Sequence, residues 1–262
     1  MQVPIPSREK NVSSNSLTYV GHATVEIELD GAHLITDPVL RNRVVHLKRQ
    51  VPAPENPHGR VPDAILLSHQ HFDHLDLPSL RGFGSGVRII CAPGTGGLLQ
   101  RKGFTRVEEL GVGESSTVGA VTVTAVPARH DGRRRPGSRP GQAIGFVIQG
   151  SRQIYFAGDT DLFQGMDRIS TAIDVALIPV WGWGHTLGEG HLDPDRAAEA
   201  VGLIRPKLTI PIHWGTLFPM MAGRFGRKHL TQPPQRFADQ VALDSPGTEV
   251  RVLAPGATTE LG

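Results

Sequence analysis

Residues 63–76 read DAILLSHQHFDHLD. The apolar run at residues 64–67 is bounded by polar residues, and a run of this kind predicts a short buried strand. Four potential metal ligands follow directly within six residues: His69, His71, Asp73 and His74. Alternate residues of an extended segment point the same way, so the first two histidines can bind one cation. The aspartate and the third histidine can then turn toward a second cation. Histidine and carboxylate ligands without a thiolate are typical of zinc, iron or manganese sites.

The same arrangement recurs three times further along the chain. Residues 121–126, 153–157 and 208–212 are predicted strands, and they lead to His130, Asp159 and His213, respectively. In layered α/β proteins ligands bind beyond the ends of strands. We therefore expect these side chains to converge on the first four at one edge of the fold.

Helical patterns lie between the predicted strands. Asp193 is a predicted N-cap and Pro194 the first helical residue, and the helix should end at Ile204, ahead of a proline. Weaker patterns predict two more helices, over residues 94–102 and 234–241. Residues 17–36 predict a hairpin with its turn at residues 30–31, whereas residues 41–62 have no periodicity and predict a surface loop. Together these elements predict a layered α/β domain with helices outside the sheets.

Composition restricts the class of protein. The chain has 262 residues, a net charge of +2 and one cysteine, Cys91, at the end of a predicted strand. We predict a single domain over residues 1–262, with residues 1–16 as a loose N-terminal arm. There is no apolar run of about 20 residues and no secretory signal, and a single structural thiol fits a cytoplasmic location. The charge balance does not require nucleic acid as a partner.

The order His-x-His-x-Asp-His at residues 69–74, followed by His130, the Gly158–Asp161 turn and the segment 212–215, resembles the metallo-β-lactamase superfamily. The resemblance implies a four-layer αββα sandwich. It also implies that His69, His71 and His130 bind one metal, that Asp73, His74 and His213 bind a second, and that Asp159 bridges the two. The expected cofactors are two divalent metal ions, zinc first, with manganese and iron as alternatives. A hydroxide shared by the two ions would be the nucleophile, and Asp73 would be catalytic by orienting it.

Four shorter segments, at residues 21–25, 36–38, 191–194 and 212–216, resemble one branch of the superfamily. That branch contains phospholipase D-type enzymes that cleave N-acyl phosphatidylethanolamine and the related sugar-phosphate lactonases. The resemblance makes His191 a second catalytic candidate, which would contact the substrate or protonate the leaving oxygen. The alternative is an ordinary histidine ahead of a helix cap. An acidic residue replaces His71 in the diiron branch, so redox chemistry is disfavoured.

Several further residues have more than one interpretation. Asp37 either orients a ligand histidine or caps a turn. His22 faces the site, supports a ligand from behind it, or simply packs in a tight turn. His185 lies on a loop that either lines a pocket or covers the core. The arginines that follow His130 either pair with a phosphate or form a solvated charge run; they are Arg133, Arg134, Arg135 and Arg139.

The residues and the resemblance together predict a hydrolase that acts on a phosphodiester, with a small anionic molecule as substrate. The same site would serve equally well for a lactonase or another carboxylic-ester or thioester hydrolase. A nuclease would need a basic groove, which the sequence does not indicate. A non-catalytic metal-binding scaffold is disfavoured because every expected ligand is present. Assembly into a homo-oligomer is compatible with the sequence.

Overall fold

Two large β-sheets lie at the centre of the computed structural model, which describes residues 15–134, 141–169, 172–221 and 228–262. The strands are β1 (Ser16–Gly21), β2 (Thr24–Leu29), β3 (Ala32–Thr36), β4 (Arg43–Val44), β5 (Leu47–Arg49), β6 (Ala64–Leu67), β7 (Arg88–Cys91), β8 (Arg106–Glu109), β9 (Ser115–Val118), β10 (Val121–Pro127), β11 (Ile144–Gln149), β12 (Gln153–Phe156), β13 (Val175–Pro179), β14 (Leu208–Ile212), β15 (Leu217–Pro219), β16 (Glu249–Val250) and β17 (Ala257–Glu260). The helices are α1 (Leu77–Gly82), α2 (Gly96–Arg101), α3 (Pro194–Ile204), α4 (Lys228–Thr231) and α5 (Pro233–Asp244), with a 3₁₀ turn at Met166–Arg168. Residues 1–14 of the predicted arm lie outside the described residues, and the first strand begins at Ser16.

Each large sheet combines antiparallel and parallel strands. The first has the order β17-β1-β2-β3-β6-β7-β8, and the second has the order β16-β14-β13-β12-β11-β10-β9. The parallel strands are β3, β6, β7 and β8 in the first sheet and β12, β13, β14 and β16 in the second. The predicted hairpin turn between β2 and β3 is confirmed. Asp30 and Gly31 have positive φ there, 50° and 81°, as a tight two-residue turn requires.

Alternation along the strands of the first sheet separates two apolar cores. In β3, Leu34 packs between the two sheets, whereas Ile35 belongs to a second cluster on the outer face. Helices α1 and α2 contribute Leu80 and Leu99 to that second cluster. On the other side, α3 and α5 contact each other and pack on β13 and β14. The layers therefore run helix, sheet, sheet, helix, and the predicted αββα sandwich is confirmed.

The region before β6 differs from its prediction. The sequence predicts a surface loop over residues 41–62, and this is wrong for its first part, where β4 and β5 form a three-stranded sheet with β15. Val44 and Leu47 are buried in this small sheet. Strands of two and three residues are too short to show a period of two, and β5 pairs with a strand far along the chain. No local pattern could therefore reveal them.

Two local predictions are confirmed. The Asp193 side chain accepts a hydrogen bond from the backbone N–H of Arg196 at 2.9 Å, and α3 ends before Arg205, whose φ is 53°. Cys91 is a free, buried thiol at the end of β7, and burial raises its pKa, which makes it an inert part of the core. None of the helices in the described ranges combines the length and apolarity that crossing a membrane requires.

Candidate metal centre

The loops after β6, β10, β12 and β14 meet at one edge of the sandwich and bring the seven predicted ligands together. Asp159 lies in the middle. One carboxylate oxygen is 3.1 Å from His74 Nε2, and the other is 3.2 Å from His213 Nε2. His69 Nε2 and His130 Nε2 each lie 3.9 Å from the first oxygen. The cluster formed by Asp159 and the six other predicted ligands is called the candidate metal centre below.

The ligands of this centre form two groups. In the first group, ligand atoms of His69, His71, His130 and Asp159 all lie within 4.8 Å of one another. In the second group, the same limit holds for Asp73, His74 and His213 together with His22. A third set of close side chains, Asp37, His69 and His74, spans the two groups. Asp159 also reaches two histidines of the second group.

Backbone and carboxylate oxygens orient three of the rings through Nδ1: Asp37 holds His74 at 2.7 Å, the Gly190 carbonyl holds His130 at 2.9 Å, and the Trp181 carbonyl holds His213 at 2.7 Å. Because these oxygens can only accept, the proton lies on Nδ1 and Nε2 is left as an acceptor. Yet Nε2 of His74 and Nε2 of His213 lie only 3.2 Å apart, beside the Asp159 carboxylate. Acceptors this close repel one another unless a cation or a proton lies between them.

The protonation of the rings shows that the residues fit divalent cations. Burial lowers the pKa of His130 to about 4 and that of His213 to about 3, so both rings are neutral ligands at physiological pH. Burial also lowers the pKa of His69, whose Nε2 has no hydrogen-bond partner among the described residues. For His74, burial lowers the pKa, but the nearby carboxylates of Asp159 and Asp73 raise it by more than burial lowers it. The net pKa of His74 therefore lies well above the usual value. A proton on His74 therefore takes the place of a cation when none is bound.

Asp37 is fully buried behind the second group. It accepts hydrogen bonds from the Ser68 backbone N–H at 2.8 Å, the Ser68 hydroxyl at 2.5 Å and His74 Nδ1 at 2.7 Å. The Ser68 hydroxyl is also 2.9 Å from Nδ1 of His69. The contact with His74 agrees with the interpretation in which Asp37 orients a predicted ligand histidine.

The backbone is strained at three positions around the centre. His22, Asp37 and His213 have φ values of 58°, 34° and 64°, in the left-handed region that favours glycine. Each such residue costs about 1–3 kcal/mol of strain, and such strain is typical of functional sites. The fold thus positions these three side chains at the cost of backbone strain.

His191 lies at the rim of the centre. Its Nε2 is 3.4 Å from an Asp159 oxygen, and its ring meets the His130 ring edge-on at 4.6 Å. Burial lowers its pKa, but the hydrogen bond and charge of Asp159 outweigh burial and raise the pKa to about 9. The structure therefore brings His191 to the site. The same residue also lies two positions before Asp193, the N-cap of α3.

A cavity of about 580 Å³ opens beside the centre. Its polar end is formed by His71, Asp73, Asp159 and His191, and its apolar walls by Val44, Val45, Leu47, Phe72 and Trp183. Arg134 lines the same cavity, with its guanidinium carbon 4.1 Å from the centre of the Phe72 ring. One of its nitrogens donates to the carbonyls of Gln70 at 2.9 Å and Leu75 at 3.1 Å. Sequence reasoning missed Val44 and Leu47 because they lie in the misassigned loop.

The other open candidates differ in where they lie. Arg133 is exposed and pairs with Asp131, which agrees with a solvated charge. Arg135 and Arg139 lie outside the described residues. His185 meets Phe218 edge-on at 5.6 Å rather than the metal centre. His22, in contrast, lies within the second ligand group, with Nε2 2.9 Å from an oxygen of Asp73.

Comparisons with known proteins agree with this geometry. Residues 33–214 match the model of the family described as the Beta-lactamase superfamily domain. The chain is 32% identical over 253 residues to a UPF0173 metal-dependent hydrolase from Methanopyrus kandleri, a match that covers 93% of this chain and 99% of the relative. This relative is similar to the chain along nearly its whole length.

Solved structures show the same fold at lower identity. A metallo hydrolase from Ignicoccus hospitalis superposes with a TM-score of 0.75 at 24% identity, covering 95% of this chain and 99% of that one. An isothiocyanate hydrolase from Delia radicum gut bacteria superposes with a TM-score of 0.70 at 17% identity, covering 94% and 98%. At these identities the likeness concerns the fold alone.

Proposed function

Because the chain belongs to the metallo-β-lactamase superfamily and is a metal-dependent hydrolase, we propose that it hydrolyses a phosphodiester at a centre of two divalent cations. Zinc is the first expectation, with manganese and iron as alternatives. The single observation that carries the proposal is the pair of ligand groups that meet at Asp159. Centres of two divalent cations are typical of enzymes that displace a leaving group from phosphorus.

The proposed ligands are those that the sequence predicts. His69, His71 and His130 would bind one ion, and Asp73, His74 and His213 the other. Asp159 would bridge the two ions, which its contacts with histidines of both groups support. All of these side chains come from one chain, so the proposed centre needs no ligand from a second subunit.

Bound divalent cations would supply a Lewis acid for the scissile group and lower the pKa of a coordinated water. In the proposed reaction a water oxygen forms a bond to phosphorus, the bond from phosphorus to the leaving oxygen breaks, and the proton that the water loses passes to solvent. Asp73, at the polar end of the cavity, would accept a hydrogen bond from the attacking water and orient it. His191, at the rim, would contact the leaving oxygen and donate a proton to it.

The cavity walls bear on the substrate class. Arg134 places a cation close to the proposed centre, which favours an anionic substrate such as a phosphodiester. The apolar walls suit an organic arm on that substrate. They also support a second candidate function, in which the chain opens a lactone or hydrolyses a neutral carboxylic ester or thioester. Because the single cysteine is a free, buried thiol, which fits a reducing compartment, we place the protein in the cytoplasm.

The experiment joins metal analysis to turnover. Protein purified without added metal is reconstituted, its ions are counted by mass spectrometry, and turnover is measured for bis(p-nitrophenyl) phosphate, lactones and a thioester. An isothiocyanate belongs in the panel because one structural neighbour is an isothiocyanate hydrolase. We expect about two equivalents of metal and chelator-sensitive phosphodiesterase activity. Preferential lactone opening would overturn the substrate class, and absence of both metal and turnover would overturn the proposal itself.

A further inference from the structure

The turn between β1 and β2 places a buried histidine against a proposed ligand. His22 is 1% exposed, and its Nε2 lies 2.9 Å from Oδ2 of Asp73. Its other ring nitrogen, Nδ1, is also buried and has no hydrogen-bond partner among the described residues. None of the steps proposed for hydrolysis uses this residue.

The surroundings of the ring decide where its proton lies. A proton on Nδ1 would be a buried donor with no acceptor in the part of the chain that the structure describes, and it would leave the Nε2 lone pair facing a carboxylate. A proton on Nε2 instead forms a hydrogen bond to Asp73 and leaves only a lone pair on Nδ1. The second arrangement avoids both penalties, so His22 donates to Asp73.

This arrangement separates His22 from the neighbouring ligand histidines. His74, His130 and His213 each have an oxygen acceptor on Nδ1, which directs the Nε2 lone pair into the centre. If His22 were a ligand through Nε2, the required proton on Nδ1 would have no such acceptor within residues 15–134, 141–169, 172–221 and 228–262. The ring is therefore built as a donor to a ligand and not as a ligand.

We propose that His22 is a positioning residue that fixes the Asp73 carboxylate within the second ligand group. The proposal rests on the proposed function, because it concerns the same two-cation centre. Asp73 lies on a loop, and His74 Nε2 and His213 Nε2 are 3.9 and 4.0 Å from its Oδ2. Held by His22, the carboxylate keeps one orientation toward the second cation and the attacking water.

Hydrogen bonds of the His22 backbone fix the position from which its ring extends. His22 N–H donates to the Thr216 hydroxyl at 2.9 Å, and the His22 carbonyl accepts from the His213 N–H at 2.7 Å. The His22 and His213 rings lie 3.8 Å apart. At Gly21, whose φ is 128°, an added Cβ would lie 2.5 Å from the same hydroxyl, so only glycine allows this approach. The turn thus joins the first sheet to the end of β14.

The test compares three substitutions of His22 in metal-loaded, full-length protein. His22→Phe keeps a ring against His213 but removes the donor, and His22→Asn tolerates positive φ but is too short to reach Asp73. His22→Gln places an amide N–H near the position of Nε2–H, so it restores the donor without restoring an imidazole ligand. Chelator competition measures the affinity for each ion, and kcat and KM are measured with bis(p-nitrophenyl) phosphate.

We expect His22→Phe and His22→Asn to lower the affinity for the second cation by roughly 10–100-fold and to leave the first unchanged. His22→Gln should recover the second cation to within about threefold of wild type and restore kcat, because the orienting hydrogen bond is restored. Wild-type affinity for both ions in His22→Phe and His22→Asn would overturn the proposal. Loss of the second ion in His22→Gln as complete as in His22→Phe would overturn it too, because His22 would then be a ligand itself.

A second measurement separates failure of this inference from failure of the proposed function. ¹⁵N chemical shifts of His22, recorded at pH 8 before metal is added, report which nitrogen carries the proton. We expect a protonated Nε2 and a bare Nδ1, and a proton on Nδ1 would overturn the proposal whatever the metal content. Wild-type protein that binds fewer than two ions would instead contradict the dinuclear centre.

Discussion

The two ligand groups share Asp159 but differ in how the fold surrounds them. In the first group, His71 and His130 are partly exposed, and His71 lines the cavity. In the second group, Asp73, His74 and His213 are buried, and Asp37, His22 and the Trp181 carbonyl hold them from behind. The comparison indicates that the second group is the more buried and preorganised of the two, although each contributes a side chain, His71 or Asp73, to the cavity.

Removing the shared ligand tests both groups at once. Asp159→Ala should abolish binding of both ions in the ligand sets proposed here, with a loss in kcat on the order of 10³-fold or more, because metal ions supply several kcal/mol of transition-state stabilisation. Metal counting and steady-state kinetics check this. The matched control is Asp161→Asn, two residues away, whose side chain pairs with Arg196 rather than with the ligands. Full metal occupancy with retained turnover in Asp159→Ala would refute the bridging assignment.

His191 should separate catalysis from metal binding. His191→Ala is expected to lower kcat about 10²-fold, because a general acid typically contributes 10²–10⁴-fold, while both ions stay bound. A leaving group that needs no proton should reduce this deficit, so aryl and alkyl phosphodiesters are compared. Loss of an ion from His191→Ala would instead make this residue a ligand of the first group, whose His130 ring it contacts.

Asp37 should act more strongly on the second group, which it contacts directly through His74, than on the first, which it reaches only through Ser68. Asp37→Asn removes the carboxylate that holds His74 and should weaken binding of the second cation by roughly 10–100-fold. In chelator competition, the affinities of the two cation sites should then differ more in Asp37→Asn than in the wild type. Asp63→Asn, which removes a carboxylate that accepts from the His33 N–H far from the centre, is the matched control. An equal loss from both groups would contradict the separation.

The pH dependence of metal uptake should also differ between the groups. In the ion-free protein His74 is protonated at neutral pH because the Asp159 and Asp73 carboxylates outweigh burial and raise its pKa, whereas burial lowers that of His130 to about 4. Binding in the second group must therefore expel a proton, and its affinity should fall about tenfold for each unit of decreasing pH. Binding in the first group should stay nearly constant above about pH 5. Calorimetry in buffers of different ionisation enthalpy measures the protons released.

The smallest expected effect concerns the cavity wall. Trp183→Ala should raise KM for bis(p-nitrophenyl) phosphate by about tenfold and leave KM for methyl p-nitrophenyl phosphate nearly unchanged, because only the first substrate has an aromatic arm that does not leave. Trp183→Phe, which keeps an apolar ring, is the control. An equal change for both substrates would place that arm elsewhere.

How much of the fold and of the site could be predicted from the sequence depends on how far apart in the chain the interacting residues lie. The ligand motif at residues 69–74 and the α3 cap are local patterns, so the sequence predicts them directly. The cavity wall depends on β5 pairing with β15, and the His22 contact joins residues 51 positions apart. The Trp181 carbonyl that orients His213 belongs to the backbone, so its side chain carries no signal for it. Such non-local contacts appear only in the folded chain.

The most direct test of the central claim is a zinc-edge anomalous difference map from crystals of the metal-loaded protein. Two peaks are expected, roughly 3.5–4 Å apart, one beside each ligand group with Asp159 between them. A single peak, or a second peak away from Asp159, would contradict the shared two-cation centre.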